Sequence, residues 1–222
     1  MTTRLKLYNH ALRLCGHSRL ATLTDDVEER YVLDDAWNDD FLQKVLEAGL
    51  WNFATRAQEL TPETSVSPPF GYQNAFLKDT DWVKTVGVYD DEFMRSPLLD
   101  YMDEGQYIFA ELNMIWVRFV SNDSAYGTDL SKWPGTFQNY AAAFLAGEII
   151  HRLTSDENRV MFLHGRNGKN GYIETQLRDA KSDDAMESPT QFTPSGTWVS
   201  SRGRGRRRGP FGDRGVTSSL IG

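Results

Sequence analysis

The sequence has one cysteine, Cys15, among its 222 residues, and no run of about 20 unbroken apolar residues. A single cysteine excludes an internal disulfide and a zinc site built from cysteines. Cys15 itself falls on the apolar face of a predicted helix, where a thiol is normally inert packing. The first residues, MTTRLKLYNH, lack the apolar core of a signal peptide. We therefore expect a soluble protein, made in a reducing compartment and without a membrane segment.

The motifs of common enzyme classes are also missing. There is no G-x-S-x-G nucleophile elbow. The segment GRNGKNG at residues 165–171 resembles a phosphate-binding loop, but Leu163 stands where that motif requires glycine, and Asn170 where it requires serine or threonine. Glu148 and His151 have the E-x-x-H spacing of di-iron helices, but that chemistry needs the motif twice. We expect no enzyme, no metal site and no cofactor.

The net charge of −7 is distributed unevenly along the chain. From Ser200 onward, six arginines and one aspartate give a net of +5, which leaves −12 for residues 1–199. Because a negatively charged body repels phosphate, we do not expect the folded part to grip DNA closely. Four aspartates of the second predicted helix are interpreted as a solvated acidic face: Asp34, Asp35, Asp39 and Asp40.

Apolar residues at helical spacing predict four helical segments. The first covers residues 3–15. The second begins with Thr24 as its N-cap and continues to Gly49. The third follows Trp133-Pro134-Gly135 and is apolar on most faces, and the fourth covers the region after Asp156. The glycines of GRNGKNG favour a break in the fourth segment, although we expect the helix to continue or to form again at once.

Between the second and third helices the apolar period changes from four to two, which predicts strands. The strand pattern is clear at residues 81–89, 107–110 and 114–120, and we interpret the last two as a hairpin. We predict a mainly α, α+β fold, namely a helical bundle with an inserted small antiparallel β subdomain and an extended C-terminal arm. The predicted boundaries are residues 1–50 and 133–188 for the bundle, 51–120 for the β subdomain, 121–132 for a loop, and 189–222 for the Arg/Gly-rich arm.

The arm has three possible roles. It is a solubilising end, a nucleic-acid-binding segment of the arginine-glycine type, or a docking arm for an acidic groove on a protein partner. Trp198 and Phe211 interrupt its polar sequence. A purely solvated tail has little reason to carry such apolar residues, so they favour docking.

Several segments, taken in order, resemble the tail tubular protein A family of phages, which are head–tail adaptor (connector) proteins of short-tailed phages and related viruses. The most specific segments are LYNHALRLCGHSRLATLTDD, the turn GLWNFA at residues 49–54, and the alanine-rich third helix in WPGTFQNYAAAFLAGEIIHRLT. The resemblance covers essentially the whole chain, including PSGTWVSSRGR in the tail. Two features differ: GRNGKNG falls where the family would have an unbroken helix, and the tail is richer in arginine than docking alone requires.

The resemblance implies a structural virion protein, made in the host cytoplasm and located at the head–tail junction. It would form a homo-oligomeric ring, typically a dodecamer, beneath the portal protein and around the DNA channel. The β subdomain would face tail nozzle or tail fibre proteins. We expect the arm to contact the portal through Trp198, Arg202, Arg204, Arg206, Arg207, Arg208 and Phe211. We expect the subunit interface to include Ala142, Ala146 and Ile149. The alternative is a nucleic-acid-binding protein that acts through its Arg/Gly-rich tail, and contact of this tail with channel DNA stays open.

Overall fold

Apolar residues at helical and alternating spacing fold into the helices and strands of a mixed α+β protein. A computed structural model of the chain describes residues 3–68, 71–166 and 169–187. Within these ranges the helices are α1 (Arg4–Cys15), α2 (Glu28–Asn38), α3 (Phe41–Glu47), α4 (Gly135–Leu153), α5 (Glu157–His164) and α6 (Tyr172–Glu187). The strands are β1 (Thr55–Leu60), β2 (Asn74–Leu77), β3 (Trp82–Tyr89), β4 (Met102–Glu104), β5 (Tyr107–Ala110), β6 (Ile115–Ser121), β7 (Gly165–Arg166) and β8 (Lys169–Asn170).

Helix α1 agrees with its prediction at both ends. The Thr3 side chain accepts a hydrogen bond from the backbone N–H of Lys6, which is a typical N-cap. Gly16 ends the helix in the left-handed conformation at φ 77°. The Arg159 guanidinium of α5 lies over the α-carbon of Gly16, where a β-carbon would meet it at 1.5 Å. Glycine therefore both ends α1 and leaves room for α5.

The single helix predicted from Thr24 to Gly49 is wrong, because the chain forms two helices there. Helix α2 begins only at Glu28, with Val27 as its N-cap residue. Thr24 lies in a preceding turn that is held by Asp25, whose carboxylate accepts from the backbone N–H groups of Ala21 and Thr22. The chain then breaks again before α3, because Asp40 adopts the left-handed conformation at φ 54°.

The strands form two separate three-stranded antiparallel sheets, in the orders β1-β6-β3 and β2-β5-β4. The predicted strand at residues 81–89 is confirmed by β3. The predicted hairpin of β5 with β6 is wrong, because these strands belong to different sheets. Strand β5 pairs instead with β4 across a tight turn in which Gly105 has φ 57°. A two-residue turn with glycine in this conformation is a stronger hairpin signal than the closeness of two strand patterns in the sequence.

Helix α4 lies at the centre of the helical part and contacts α1, α2, α3, α5 and α6. Most of its buried side chains belong to one hydrophobic cluster with α1, α2 and α3. Trp51 joins this cluster from the turn before β1, with its ring centroid 4.7 Å from that of Phe137 and 6.3 Å from that of Tyr140. A second cluster is formed by strand residues, among them Phe76, Ile108 and Phe119. The two clusters give the helices and most of the strands separate hydrophobic cores.

The GRNGKNG segment breaks the helix. Helix α5 ends at His164, the short strands β7 and β8 pair, and α6 begins at Tyr172. Gly165 and Asn170 have positive φ values of 75° and 58°, which a continuous helix does not permit. A β-carbon on Gly171 would lie 2.3 Å from the Leu163 carbonyl oxygen, so the chain turns too tightly there for a side chain. The break that the glycines favour is confirmed, and a continuous helix is wrong. A helix does form again directly after the segment, at Tyr172, which is the other expected outcome.

We predict that Gly127→Ala destabilises the protein by about 2–3 kcal/mol, because the new methyl group overlaps backbone. A β-carbon at this position would lie 2.2 Å from the Ser121 carbonyl oxygen and 2.8 Å from a methyl group of Leu46. Gly135→Ala is the matched control, since nothing lies within 4 Å of its added β-carbon. Urea unfolding of both variants measures the difference. Equal stabilities would contradict the prediction.

Candidate functional site

The predicted portal-binding residues lie in the arm, outside the residues that the structure describes. They are Trp198, Arg202, Arg204, Arg206, Arg207, Arg208 and Phe211. Their role stays a prediction from sequence. The candidate sites described below therefore lie on the helices and sheets.

The residues predicted for the subunit interface, Ala142, Ala146 and Ile149, lie in the core of the single chain. Each has 0% of its surface exposed. All three belong to the hydrophobic cluster that α4 shares with α1, α2 and α3 of the same chain. A direct contact with a second subunit would have to be made by exposed neighbours. The presence of these three residues at a subunit interface stays a prediction.

The interpretation of the four aspartates as one solvated face is wrong for Asp34. Its carboxylate accepts from Arg4 Nη2 at 2.6 Å, from Arg30 Nη1 at 2.8 Å and from the Tyr8 hydroxyl at 2.8 Å. The Arg4 guanidinium also lies 4.9 Å from the ring centroid of Trp37. Burial raises the pKa of Tyr8 well above its usual value, so its hydroxyl stays a donor. This network connects α1 to α2.

The other three aspartates, Asp35, Asp39 and Asp40, are exposed, as expected. Asp35 pairs with Arg152 at 3.0 Å, and both side chains are more than half exposed. Asp39 pairs with Lys44 at 2.8 Å with its own side chain 75% exposed. Such pairs contribute about 0–1 kcal/mol each. Sequence spacing did not distinguish Asp34 from its neighbours, because its partner Arg4 lies 30 residues away.

The E-x-x-H pair does not converge on a metal-binding arrangement. Glu148 and His151 are both exposed on α4. The His151 ring stacks on the His164 ring, with centroids 5.6 Å apart. Among the described residues, no group of three or more His, Cys, Asp or Glu side chains is placed to hold a metal ion.

Cys15 is buried on the inner face of α1, as its sequence position indicated. Its sulfur lies 3.6 Å from the Ala146 carbonyl oxygen, to which the thiol donates. Burial raises the pKa of the Cys15 thiol to about 11. The thiol is therefore neutral at physiological pH and contributes packing between α1 and α4.

An open groove runs along α4, α5 and α6 and has a volume of about 820 Å³. We call it the α4–α6 groove. Its lining is apolar in the middle and polar at the edges: Tyr140, Phe144, Gly147, Glu148, Leu163, His164, Ile173, Glu174 and Leu177. This volume lies within the range of about 300–1,000 Å³ that is typical of ligand sites in proteins.

Gly147 brings the walls of this groove together. A β-carbon at Gly147 would lie 2.5 Å from the Ile173 side chain and 3.1 Å from the His164 ring. The His164 Nε2–H donates to the Gly147 carbonyl oxygen at 3.2 Å, because a carbonyl can only accept. The end of α5 is thus tied to α4, and the first turn of α6 packs across the same glycine.

Tyr140 supplies a polar group to the apolar part of the groove. The residue is 3% exposed, and burial raises the pKa of its hydroxyl to about 12. None of the residues in ranges 3–68, 71–166 and 169–187 forms a hydrogen bond with this hydroxyl. The hydroxyl oxygen is not fully enclosed, because Gln58 Oε1 is the one fully buried side-chain nitrogen or oxygen without a partner among the described residues. It can therefore donate to water in the groove. The sequence did not single out Tyr140, since a tyrosine at a helical apolar position is usually core.

Two pairs of exposed apolar side chains lie away from the groove. Met161 and Phe162 on α5 are each 54% exposed, and the Phe162 ring stacks on Tyr172 at 5.1 Å. Phe93 and Leu99 in the segment between β3 and β4 are 67% and 89% exposed. Exposed aromatic and aliphatic groups of this kind are frequent at sites of protein contact.

Comparison with known proteins gives no assignment. No protein-family model matches the chain, and no curated protein sequence matches it significantly. Within the described residues, no helix combines the length and the apolar character required to cross a membrane.

We predict that Asp34→Ala destabilises the protein by about 1–2 kcal/mol, because it removes the carboxylate that accepts from Tyr8 and from two partly buried arginines. Asp35→Ala removes a mostly exposed pair and is expected to cost less than about 0.5 kcal/mol. Chemical denaturation of both variants provides the comparison. If Asp35→Ala were the more costly change, the network would not stabilise α1 against α2.

We also predict that Cys15 does not react with a thiol reagent in the folded protein at mildly alkaline pH. The reacting form is the thiolate, and both the raised pKa and burial suppress it. The same reagent in denaturant measures the fully accessible thiol. Complete labelling of the native protein within the time needed for the denatured one would show that Cys15 is accessible.

Proposed function

We propose that the chain is a structural virion protein, a head–tail adaptor that forms a ring beneath the portal, joins capsid to tail and surrounds the DNA channel. The observation that carries this proposal is the resemblance of its segments, in order, to the tail tubular protein A family. The proposed ring is a dodecamer, with tail nozzle or tail fibre proteins bound below it.

The packing of the resembling segments supports the proposal. The helix of LYNHALRLCG (α1) contacts the alanine-rich α4. The GLWNFA turn places Trp51 between Phe137 and Tyr140 of α4. In the same turn, the backbone N–H of Asn52 donates to the Asp184 carboxylate of α6 at 2.8 Å. The resembling segments are distant in sequence but form one core. This is expected if the resemblance concerns one folded domain.

The proposed architecture is a helical bundle that carries an inserted β subdomain and continues into an extended C-terminal arm. Two separate hydrophobic clusters support the distinction between the helical and β parts. Exposed Phe93 and Leu99 extend from the β part, in a position to contact a tail protein.

Charge gives the channel and the arm different roles in this proposal. A body with a net charge of −12 over residues 1–199 repels a DNA duplex and lets it pass through a ring. The arm is proposed to dock on acidic portal surface. Arginine forms bidentate bonds to carboxylates, while Trp198 and Phe211 supply apolar contacts.

Binding of nucleic acid by the arm is the second candidate function. It is favoured by the six arginines and the net of +5 from Ser200 onward. Such binding depends on phosphate contacts and weakens steeply as salt rises. The arm of an adaptor is close to channel DNA, so contact with DNA is also compatible with the first proposal.

We predict that deletion of residues 195–222 abolishes attachment to the portal while the remaining chain keeps its helical content. Co-sedimentation of the protein with portal rings measures attachment, and a labelled duplex at several salt concentrations measures DNA binding. The matched variant keeps Trp198 and Phe211 and has glutamine in place of the five arginines Arg202, Arg204, Arg206, Arg207 and Arg208.

The two candidate functions differ in the result. Lost DNA affinity with unchanged portal attachment would reject the docking arm and favour the nucleic-acid-binding protein. Lost portal attachment, with rings of the intact chain visible by electron microscopy beneath the portal, supports the adaptor.

A further inference from the structure

We infer that the α4–α6 groove binds a peptide segment of a protein partner, with an apolar side chain in the groove and an adjacent arginine or lysine at its edge. This inference rests on the geometry of the groove and goes beyond the proposed adaptor function. It concerns residues on the helices and requires nothing of the arm.

The apolar middle of the groove favours an apolar side chain of the bound peptide. Phe144, Ile173 and Leu177 are partly exposed there, although each packs against the helical core. A side chain that covers them removes apolar surface from water, which contributes about 25 cal/mol for each Å². The width set by Gly147 and the volume of about 820 Å³ accommodate an aromatic or long aliphatic side chain.

The Tyr140 hydroxyl selects a hydrogen-bonding group beside that side chain. The residue is 97% buried, lines the groove and forms no hydrogen bond within the described part of the chain. With its pKa raised to about 12 it remains protonated and donates. A peptide carbonyl accompanies every side chain of a peptide, so a bound segment brings an acceptor that can replace water at this hydroxyl.

The edges of the groove favour a cation. The charged side chains that line it are Glu148 and Glu174, on opposite walls, and no lining residue in the described chain is lysine or arginine. Lys44 lies close enough to Glu148 to interact with its charge, but its ammonium group is paired with Asp39 at 2.8 Å. Glu174 also accepts from the backbone N–H of Asn170 at 2.6 Å, which fixes its position. Arg178 and Lys181 line a neighbouring cavity that shares Glu174 and Leu177 with the groove, so the cation is expected at Glu148. A carboxylate beside an apolar groove complements an apolar residue next to a basic one.

The test uses the full-length protein and a fluorescein-labelled pentapeptide with a central tryptophan between two arginines. Fluorescence anisotropy measures binding, and a peptide with glutamates in place of the arginines is the charge control. We expect the basic peptide to bind and the acidic one not to bind. A dissociation constant of about 1 mM corresponds to a binding free energy of only about 4 kcal/mol. If the basic peptide does not bind at this concentration, the inference is overturned.

Variants of the protein locate the binding. Tyr140→Phe keeps the ring and removes the hydroxyl, so we expect about two- to tenfold weaker binding. We expect its melting temperature to be unchanged, because no described hydrogen bond is lost. Glu148→Gln is expected to weaken binding about two- to fivefold. Asp179→Asn, an exposed change on α6 away from the groove, is the control and leaves binding unchanged. If Tyr140→Phe and Glu148→Gln bind as tightly as the unaltered chain, the peptide does not occupy this groove.

Discussion

The burial of α4 on almost every side is the constraint on which the rest of the structure depends. A helix can be surrounded at close range only if its side chains are small where neighbours cross it, and α4 has alanine at residues 141–143 and 146 and glycine at 147. The larger residues of α4 then fill the gaps between these crossings. Helix α1 packs on one side and α6 on another, so two segments far apart in sequence share one support. The aromatic residues at the start of α4 extend the same core to Trp51.

Much of the helical part was predictable from the sequence because its signals are local. The N-cap Thr3, the terminating Gly16 and the Pro134-Gly135 start of α4 each act within one turn of chain. The break between α2 and α3 was not predictable from apolar spacing, because Phe41 and Val45 return to the same core after the break. The predicted pairing of β5 with β6 is wrong because closeness in sequence is a weaker signal than the turn at Gly105, which pairs β5 with β4.

The groove and the Asp34 network could not be predicted from the sequence for a different reason. Each depends on side chains that are adjacent only after folding. Glu148 and Glu174 face a common groove, although helix α5 and GRNGKNG separate them along the chain. Tyr140 has the spacing of a core residue and is buried as one, and only the absence of a described partner for its hydroxyl distinguishes it. Conversely, the four aspartates are similar in sequence, and the position of Arg4 decides which of them is held.

The pairing of β1 with β6 has a consequence for how the length of the chain can change. Thr55, the first residue of β1, is opposite Val120, near the end of β6, and Val120 is packed in the helical core. The chain thus leaves the helices and returns to them at two neighbouring points, whose separation is set by one antiparallel pair. Strand β3 packs on the helical core through Val83 and Val86, but the β2-β5-β4 sheet can be lengthened, shortened or exchanged without altering the spacing that the helices require. Variation in what this sheet contacts is therefore separable from variation in the helical core.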